Sequence, residues 1–191
     1  MARIADADLT QQVSPAPMDA GTLRDAARGE SHAWRTLVQT YSRRVFALAL
    51  ARLGNHNDAE EITQSVFVTI SQHLSSGRYT EQGRFEPWLF RIAANRVRDE
   101  ARRQKRHAAP ADPATLAHAR ATTTQQHSHI DELRTAMRDL PENDQTLLTL
   151  RYQGQLPFAD IASILDKPLG TVLAQHHRAL AKLKKALTSE Q

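Results

Sequence analysis

The sequence of 191 residues contains no cysteine. This absence excludes disulfide scaffolds, zinc sites with cysteine ligands and thiol catalysis. The longest apolar runs are far too short to cross a bilayer, and no charged-then-apolar signal segment opens the chain. We therefore expect a cytoplasmic protein with no membrane insertion.

Glycine and proline are also scarce, with 7 and 8 residues, while alanine, leucine, arginine and glutamine are plentiful. Residues of this second group favour helices. No stretch of alternating β-branched residues is long enough to indicate a sheet. The composition predicts an all-α protein.

Two segments are predicted to lie outside the folded modules. Residues 1–18 resemble a flexible N-terminal tail, and residues 107–129 contain mainly alanine, threonine, glutamine and histidine with two prolines. Such a segment buries too little surface to offset the entropy lost on ordering, so we interpret 107–129 as a flexible linker. The sequence therefore predicts two small helical modules, at residues 19–106 and 130–188.

An acidic helix is predicted in the first module, beginning at a cap on Asn57 or Asp58 and ending near Leu74. Apolar residues spaced three and four apart define its buried face, which comprises Ala59, Ile62, Val66, Phe67, Ile70 and Leu74. The opposite face carries Glu61, Gln64, Ser65, Val68 and Gln72, and residues 55–74 contain no lysine or arginine. The simplest interpretation is a solvated face, on which Val68 is the one apolar residue.

A basic helix follows, from Phe85 to Arg106, with aromatic residues at its start and arginines concentrated toward its end. Positive charge next to flat side chains suits single-stranded nucleic acid, because the charge meets phosphates and the rings meet bases. Core packing is the alternative for Trp88, Leu89 and Ile92. For the arginines the alternatives are a solvated helix end or an anionic membrane surface.

The second module has the spacing of a helix-turn-helix motif, in which the second helix enters the major groove of DNA. A helix over 157–165 and a tight turn at 166–170 precede a helix from Thr171 to Leu187. His176 falls in the apolar stripe with Val172 and Ala179, which predicts a packed histidine. A helical hairpin without a DNA function is the alternative. The side chains predicted to face outward are Thr171, Ala174, His177, Arg178 and Lys185.

Three sets of motifs, in this order, resemble the extracytoplasmic-function (ECF, group IV) branch of the bacterial sigma-70 family. Residues 58–67 (DAEEITQSVF) resemble its region 2.2, and residues 88–99 (WLFRIAANRVRD), followed by Arg102 and Arg103, resemble regions 2.3–2.4. The matches to region 4 are Leu140-Pro141, Asp160-Ile161-Ala162, Gly170-Thr171-Val172 and Arg178-Ala179.

The resemblance implies a dissociable initiation subunit of RNA polymerase that performs no chemistry itself and needs no metal or cofactor. Its expected partners are promoter DNA, an anti-sigma factor, and core polymerase through the flap of the second-largest subunit and the clamp helices of the largest. The resemblance places the acidic helix against those clamp helices. The implied core-binding residues are Asp58, Glu61, Gln64, Ser65 and Val68.

The same resemblance assigns the basic helix and the loop before it to the −10 element of the promoter. The positions that the resemblance implies for contact with this element are Tyr79, Arg84, Trp88, Arg91, Asn95, Arg96, Arg98, Asp99, Arg102 and Arg103. Asn95 offers both donors and an acceptor for a base edge. Arg91, Arg98 and Arg102 are the better candidates for phosphates.

The recognition helix departs from the family pattern at Leu173 and Ala174, where a basic and a small polar residue are common. Neither side chain donates a hydrogen bond, although both can contact a thymine methyl group. We therefore expect altered reading of the −35 element, with Gln175, His177 and Arg178 as polar readers. The full −35 set is Thr171, Leu173, Ala174, Gln175, His177, Arg178, Lys182 and Lys185.

Two other classes of function stay open. A helix-turn-helix regulator that acts without polymerase needs neither the 58–68 motif nor the 88–99 stretch. An enzyme needs a site, and the sequence contains no P-loop, no metal-ligand spacing and no activated nucleophile.

Overall fold

A computed structural model describes residues 18–80, 82–107 and 125–188, with side chains from Asp131 onward in the last range. These residues form eight helices and no strand, as the composition predicts. The predicted tail, apart from Met18, and linker residues 108–124 lie outside the described ranges. The helices are α1 (Ala20–Ala27), α2 (Ser31–Leu53), α3 (His56–Ser75), α4 (Phe85–His107), α5 (Gln125–Asp139), α6 (Glu142–Tyr152), α7 (Phe158–Leu165) and α8 (Leu169–Thr188).

A tight junction between α2 and α3 fixes the start of the acidic helix. Gly54 ends α2 in the left-handed conformation, with φ of 71°. The expected cap at Asn57 or Asp58 is wrong by two or three residues, because Asn55 is the N-cap of α3. Its side-chain oxygen accepts from the backbone N–H groups of Asn57 at 2.8 Å and Asp58 at 3.3 Å.

The core of the first module is built from α1 to α4, and the apolar face predicted for α3 is confirmed. Ala59, Val66, Ile70 and Leu74 are buried, and Ile62 and Phe67 pack against the same core as partly buried residues. Tyr41 of α2 packs in this core near the rings of Phe85 and Phe90. This packing holds α3 and α4 side by side with their polar faces outward.

The second module comprises α5 to α8, and α7 and α8 form the predicted helix-turn-helix. Asp166 ends α7 in the left-handed conformation, with φ of 53°, and so reverses the chain before α8. Helix α8 begins at Leu169, inside the turn that the sequence predicted at 166–170. Both boundaries of the predicted linker also differ. Helix α5 begins at Gln125, inside the predicted linker, because no proline or glycine interrupts 125–131, and α4 extends through His107.

The two modules are in contact rather than separate. Helix α6 packs on α2 and α4, and α7 packs on α4. As a result Leu147, Leu150, Leu156 and Ile161 belong to the same buried apolar cluster as the core of the first module. Within the described ranges, no helix is long and apolar enough to cross a membrane.

Candidate functional site

The outer face of α3 presents three of the five residues expected to bind core polymerase. Glu61, Gln64 and Val68 are exposed, and Val68 is 56% accessible although it is apolar. The other two are partly buried and already bonded within the chain. Asp58 accepts from the Gln104 side chain of α4 at 2.8 Å, and the Ser65 hydroxyl donates to the carbonyl of Ile62 at 3.0 Å.

A groove between α2 and α3 adjoins this face and was not predicted from the sequence. Gln64 lines it together with Ser42, Arg43, Phe46, Glu60 and Thr63. Phe46 is partly buried, and its ring centroid lies 4.9 Å from that of His56 at the start of α3. The α2 residues carry no local signal, because only the packing of α2 on α3 brings them beside Gln64.

The basic helix α4 carries a stripe of four residues on one face, which we call the α4 stripe: Arg91, Asn95, Arg98 and Arg102. The spacing of four, three and four residues places them in line along the helix. Asn95 is exposed between two arginines, and its side chain has no hydrogen-bond partner among the described residues. The stripe can therefore offer a base-reading amide flanked by phosphate-binding groups.

The aromatic residues expected near the −10 element form one cluster at the start of this helix. The rings of Tyr79 and Trp88 lie 4.4 Å apart, and both contact Phe85. Phe85 is buried, whereas Tyr79 and Trp88 are only partly buried. Both of the latter pack on the core and keep an accessible surface.

Three charged residues of the predicted −10 set lie on α4 but off the stripe. Arg96 donates to the hydroxyl of Thr69 on α3 at 2.6 Å. Arg103 bonds to Glu100 one turn before it, at 2.7 and 3.0 Å, and this carboxylate raises the pKa of the arginine. Asp99 is exposed between these two residues and the stripe. Arg96 and Arg103 thus lie toward the acidic helix α3.

The recognition helix α8 exposes most of the residues that the sequence predicted. Those exposed are Thr171, Leu173, Ala174, His177, Arg178, Lys182 and Lys185. Gln175, which was expected to be a polar reader of the −35 element, is instead buried. Its side chain accepts from Lys167 and donates to Asp144 of α6, each at 2.9 Å. Gln175 is therefore a structural residue.

Asp144 holds the recognition helix on α6. It accepts from Gln175 through one oxygen and from Lys182 at 2.8 Å through the other. Lys182 is therefore ion-paired within the chain. These contacts fix both the position and the rotation of α8.

Asp144→Ala is expected to lower the free energy of unfolding by about 1–3 kcal/mol, because the Gln175 amide is left buried and unpaired. Asp144→Asn is expected to cost less, since its amide oxygen still accepts from Gln175 and the half-exposed Lys182 ammonium can turn to solvent, away from the new amide N–H₂ group. Urea denaturation monitored by circular dichroism measures both. Equal losses in the two variants would contradict this role.

His176 is partly buried, in agreement with the prediction that it packs. Its Nε2 lies 3.2 Å from the Tyr152 hydroxyl, and its ring is 4.9 Å from the Phe158 ring. Burial lowers the pKa of His176, and the charges of His177 and Arg151 act in the same direction. We therefore expect a neutral imidazole at pH 7.

Groups of the second module contact the arginine side chains of the α4 stripe. Glu142 lies 3.7 Å from Arg98 Nε and 3.2 Å from Arg102 Nε. The Ser163 carbonyl accepts from Arg91. One turn before Trp88, Arg84 donates to the Ser163 hydroxyl at 2.9 Å.

In the described parts of the chain, no three histidine, aspartate or glutamate side chains are grouped to hold a metal ion.

Comparisons with known proteins match both modules. The family models for sigma-70 region 2 and sigma-70 region 4 match residues 37–107 and 130–183. The chain is 30% identical to the ECF RNA polymerase sigma factor SigE of Mycolicibacterium smegmatis, over 90% of this chain and 69% of that protein. It is also 30% identical to the ECF RNA polymerase sigma-E factor of Haemophilus influenzae, over 84% of this chain and 90% of that one.

Solved structures show the same fold at lower identity. The structure of CnrH in complex with the cytosolic domain of CnrY superposes with a TM-score of 0.68 and 19% identity, covering 89% of this chain and 97% of that one. The sigma factor RpoE of Bartonella quintana, in complex with the anti-sigma factor NepR, superposes with a TM-score of 0.60 and 17% identity. The match covers 82% of this chain and 98% of that one. The two family models and the 30% identical relatives place the chain in the extracytoplasmic-function branch of the sigma-70 family of RNA polymerase sigma factors.

Proposed function

We propose that the chain directs core RNA polymerase to specific promoters and initiates transcription by recognising their −35 and −10 elements. One observation carries the proposal. The chain combines an acidic face on α3, which suits a basic protein partner, with two basic helices, α4 and α8, which suit DNA. Exposed Glu61, Gln64 and Val68 on α3 suit a basic partner surface with an apolar centre. We assign this face to the clamp helices, and the second module to the polymerase flap.

The α4 stripe and the Tyr79–Trp88 pair are assigned to the −10 element. Opening this element exposes bases that a pocket can hold, which offsets part of the cost of melting. Asn95 is placed to read a base edge, and Arg91, Arg98 and Arg102 to bind phosphates. Helix α8 is assigned to the major groove of the −35 element, with Arg178, His177 and Thr171 as polar contacts and Leu173 and Ala174 as apolar ones.

The chain acts, in this proposal, as a non-catalytic subunit in the cytoplasm, and an anti-sigma factor silences it. The two structural neighbours were each solved with such a partner or with a cytosolic domain bound. The alternative, a regulator that binds DNA without polymerase, leaves the acidic face of α3 without a role.

Binding assays with a defined promoter fragment separate the two functions. A sigma factor is expected to retain the duplex only when core polymerase is present, because its own DNA contacts are divided between two modules. A free-standing regulator retains the duplex alone. Tight, sequence-selective binding by the isolated chain, unchanged by core polymerase, would overturn the proposal.

Asn95→Ala is expected to reduce open-complex formation and to relax the preference for one −10 base, since base contacts specify sequence. Arg102→Ala is expected to weaken binding equally across sequences and to lower the salt slope by about one. Permanganate footprinting on a set of −10 variants measures both. On a pre-melted bubble, Asn95→Ala must keep its relaxed preference if the amide reads a base. Restored preference there would assign Asn95 to melting.

A further inference from the structure

Two large apolar side chains are exposed at the start of the recognition helix. Leu169 is 46% exposed and Leu173 is 36% exposed, and their spacing of four residues places them on one edge of α8, which we call the apolar edge. Val172 beside them is fully buried and completes the packed face of the helix. Neither leucine belongs to a buried cluster of the described chain, so both are available to a partner.

The packing of α8 fixes the direction in which this edge points. The helix packs on α5, α6 and α7, with Val172 and Ala179 buried in the contact. Gln175, which lies between them along the chain, is held by Asp144 and Lys167. Because α8 is anchored at three points along two turns, its rotation cannot change without breaking these contacts.

A polar edge lies on the opposite side of the exposed surface of α8. It comprises Thr171, Arg178 and Lys185, which are all exposed and are spaced by seven residues, or about two turns. The helix contains four basic residues and no acidic one, so nothing on it repels a phosphate. The recognition helix therefore divides its surface between cationic groups on one edge and apolar groups on the other.

The surface between the two edges carries only short side chains near the start of the helix. Gly170 and Ala174 lie there, one turn apart, and both are exposed. A Cβ atom at Gly170 would meet no other atom within 4 Å, so the packing of α8 does not require a glycine at this position. The short side chains allow the helix to approach base edges closely.

The apolar edge matches one chemical feature of the major groove. Side chains near the N-terminus of a recognition helix contact base edges, and Leu169 is the first residue of α8. A leucine side chain neither donates nor accepts a hydrogen bond, so it cannot read the polar groups of a base pair. Among the four bases only thymine presents an apolar group in this groove, its C5-methyl group. The modified base 5-methylcytosine carries a methyl group at the same ring position.

We propose that the apolar edge selects C5-methylated pyrimidines in the −35 element, with Leu169 and Leu173 as the residues that determine this specificity. The placement of α8 in the major groove rests on the proposed function, to which the methyl group adds the chemical feature that the helix reads. Burial of one methyl group is expected to raise the affinity about fourfold, which corresponds to about 0.8 kcal/mol. Either thymine or 5-methylcytosine can supply the methyl group.

Base analogues test the selection directly. Duplexes carry a randomised −35 region joined to the −10 region of a promoter found by start-site mapping. Only the randomised region is synthesised with thymidine, with deoxyuridine in its place, or with 5-methyldeoxycytidine in place of deoxycytidine. The chain bound to core polymerase is expected to enrich thymine at one or two −35 positions. Each methyl group that deoxyuridine removes there is expected to weaken binding about fourfold, and each that 5-methyldeoxycytidine adds there to strengthen it about fourfold.

Variants of the two leucines assign the effect to the apolar edge. The double variant with Leu169→Ala and Leu173→Ala is expected to bind thymidine and deoxyuridine duplexes equally. Leu133→Ala makes the same truncation at an exposed position on α5 of the same module and is expected to keep the fourfold preference. Circular dichroism checks that the variants are folded, and the base analogues test the wild type independently of any variant.

The outcomes separate the methyl selection from the proposed function. Enrichment of the same sequences, with equal affinities, from the thymidine and deoxyuridine libraries would overturn the methyl selection and leave α8 in the major groove. A double variant that discriminates as well as the wild type would overturn the role of the two leucines. Failure to enrich any sequence from the thymidine library would reject both the methyl selection and the assignment of α8 to a −35 element.

Discussion

Lysine at Glu61 or at Gln64 is expected to weaken binding to core RNA polymerase by about a hundredfold or more. Both side chains are exposed on the outer face of α3, beside the apolar Val68. If this face meets a basic partner, a new positive charge is placed against like charge, which costs several kcal/mol at an interface. Helix content is expected to stay unchanged, because neither side chain packs in the core. Fluorescence anisotropy with labelled chain and core polymerase measures the loss.

A matched control keeps this result specific. Glu30→Lys makes the same charge change as Glu61→Lys within the first module, at an exposed position before α2 whose side chain caps no helix. It is expected to leave the affinity within about threefold of the wild type, since isolated surface charges contribute little. If both α3 variants bind as tightly as this control, the assignment of the face to polymerase is wrong.

Arg178→Ala is expected to cost about 1–3 kcal/mol on the −35 element if the guanidinium reads a base, with the loss confined to one position. Arg178 is exposed one turn after Ala174 and has no ion pair among the described residues. A guanidinium group matches a guanine edge or a phosphate better than any other side chain on this helix. If it binds a phosphate instead, we expect the same loss of DNA affinity for every −35 sequence. The dependence of log affinity on log salt concentration is then expected to fall by about one.

Leu173→Arg restores the basic residue that is common at this position in the family. Leu173 is 36% exposed, so a longer side chain can reach outward without a core rearrangement. The variant is expected to bind DNA more tightly without selectivity or to prefer a different −35 sequence. Selections from a randomised −35 library at two salt concentrations distinguish these outcomes. They compare the wild type, both variants and Lys184→Ala, which is a charge-matched control for Arg178→Ala. Unchanged selection and affinity in both variants would show that α8 does not lie in the groove.

Apolar periodicity predicted the parts of the fold that depend on neighbouring residues in the sequence. Ala59, Val66 and Ile70 occur at the spacing of one helix face, and all three are buried. The end of α2 at Gly54 is likewise local, because the left-handed conformation there favours glycine. The helix-turn-helix spacing likewise needed only the order of helix, turn and helix.

Polar burial was not predictable in the same way. Gln175 lies three residues after Val172 and four before Ala179, so the spacing places it beside the buried stripe, but its polar side chain favoured a contact with DNA. Asp144 and Lys167 satisfy its amide and allow it to be buried. Asp144 lies 31 residues away along the chain. A pattern of local spacing contains no information about such a partner.

The contact between the modules escaped prediction for the same reason. Arg98 and Arg102 were predicted to face solvent or DNA, because basic side chains are seldom packed. Glu142 was predicted to belong to the other module. Arg44 gave no signal either, although it is buried and bonded to Glu86 and Gly154. Only the three-dimensional arrangement shows that these charges meet.

In vitro transcription with added core polymerase, followed by mapping of start sites on a genomic fragment library, tests the central claim most directly. We predict discrete new start sites that appear only when chain and core polymerase are both present and that share one sequence near −10 and another near −35. Loss of these starts is expected with Glu61→Lys but not with Glu30→Lys. A start-site pattern identical to that of core polymerase alone would contradict the account.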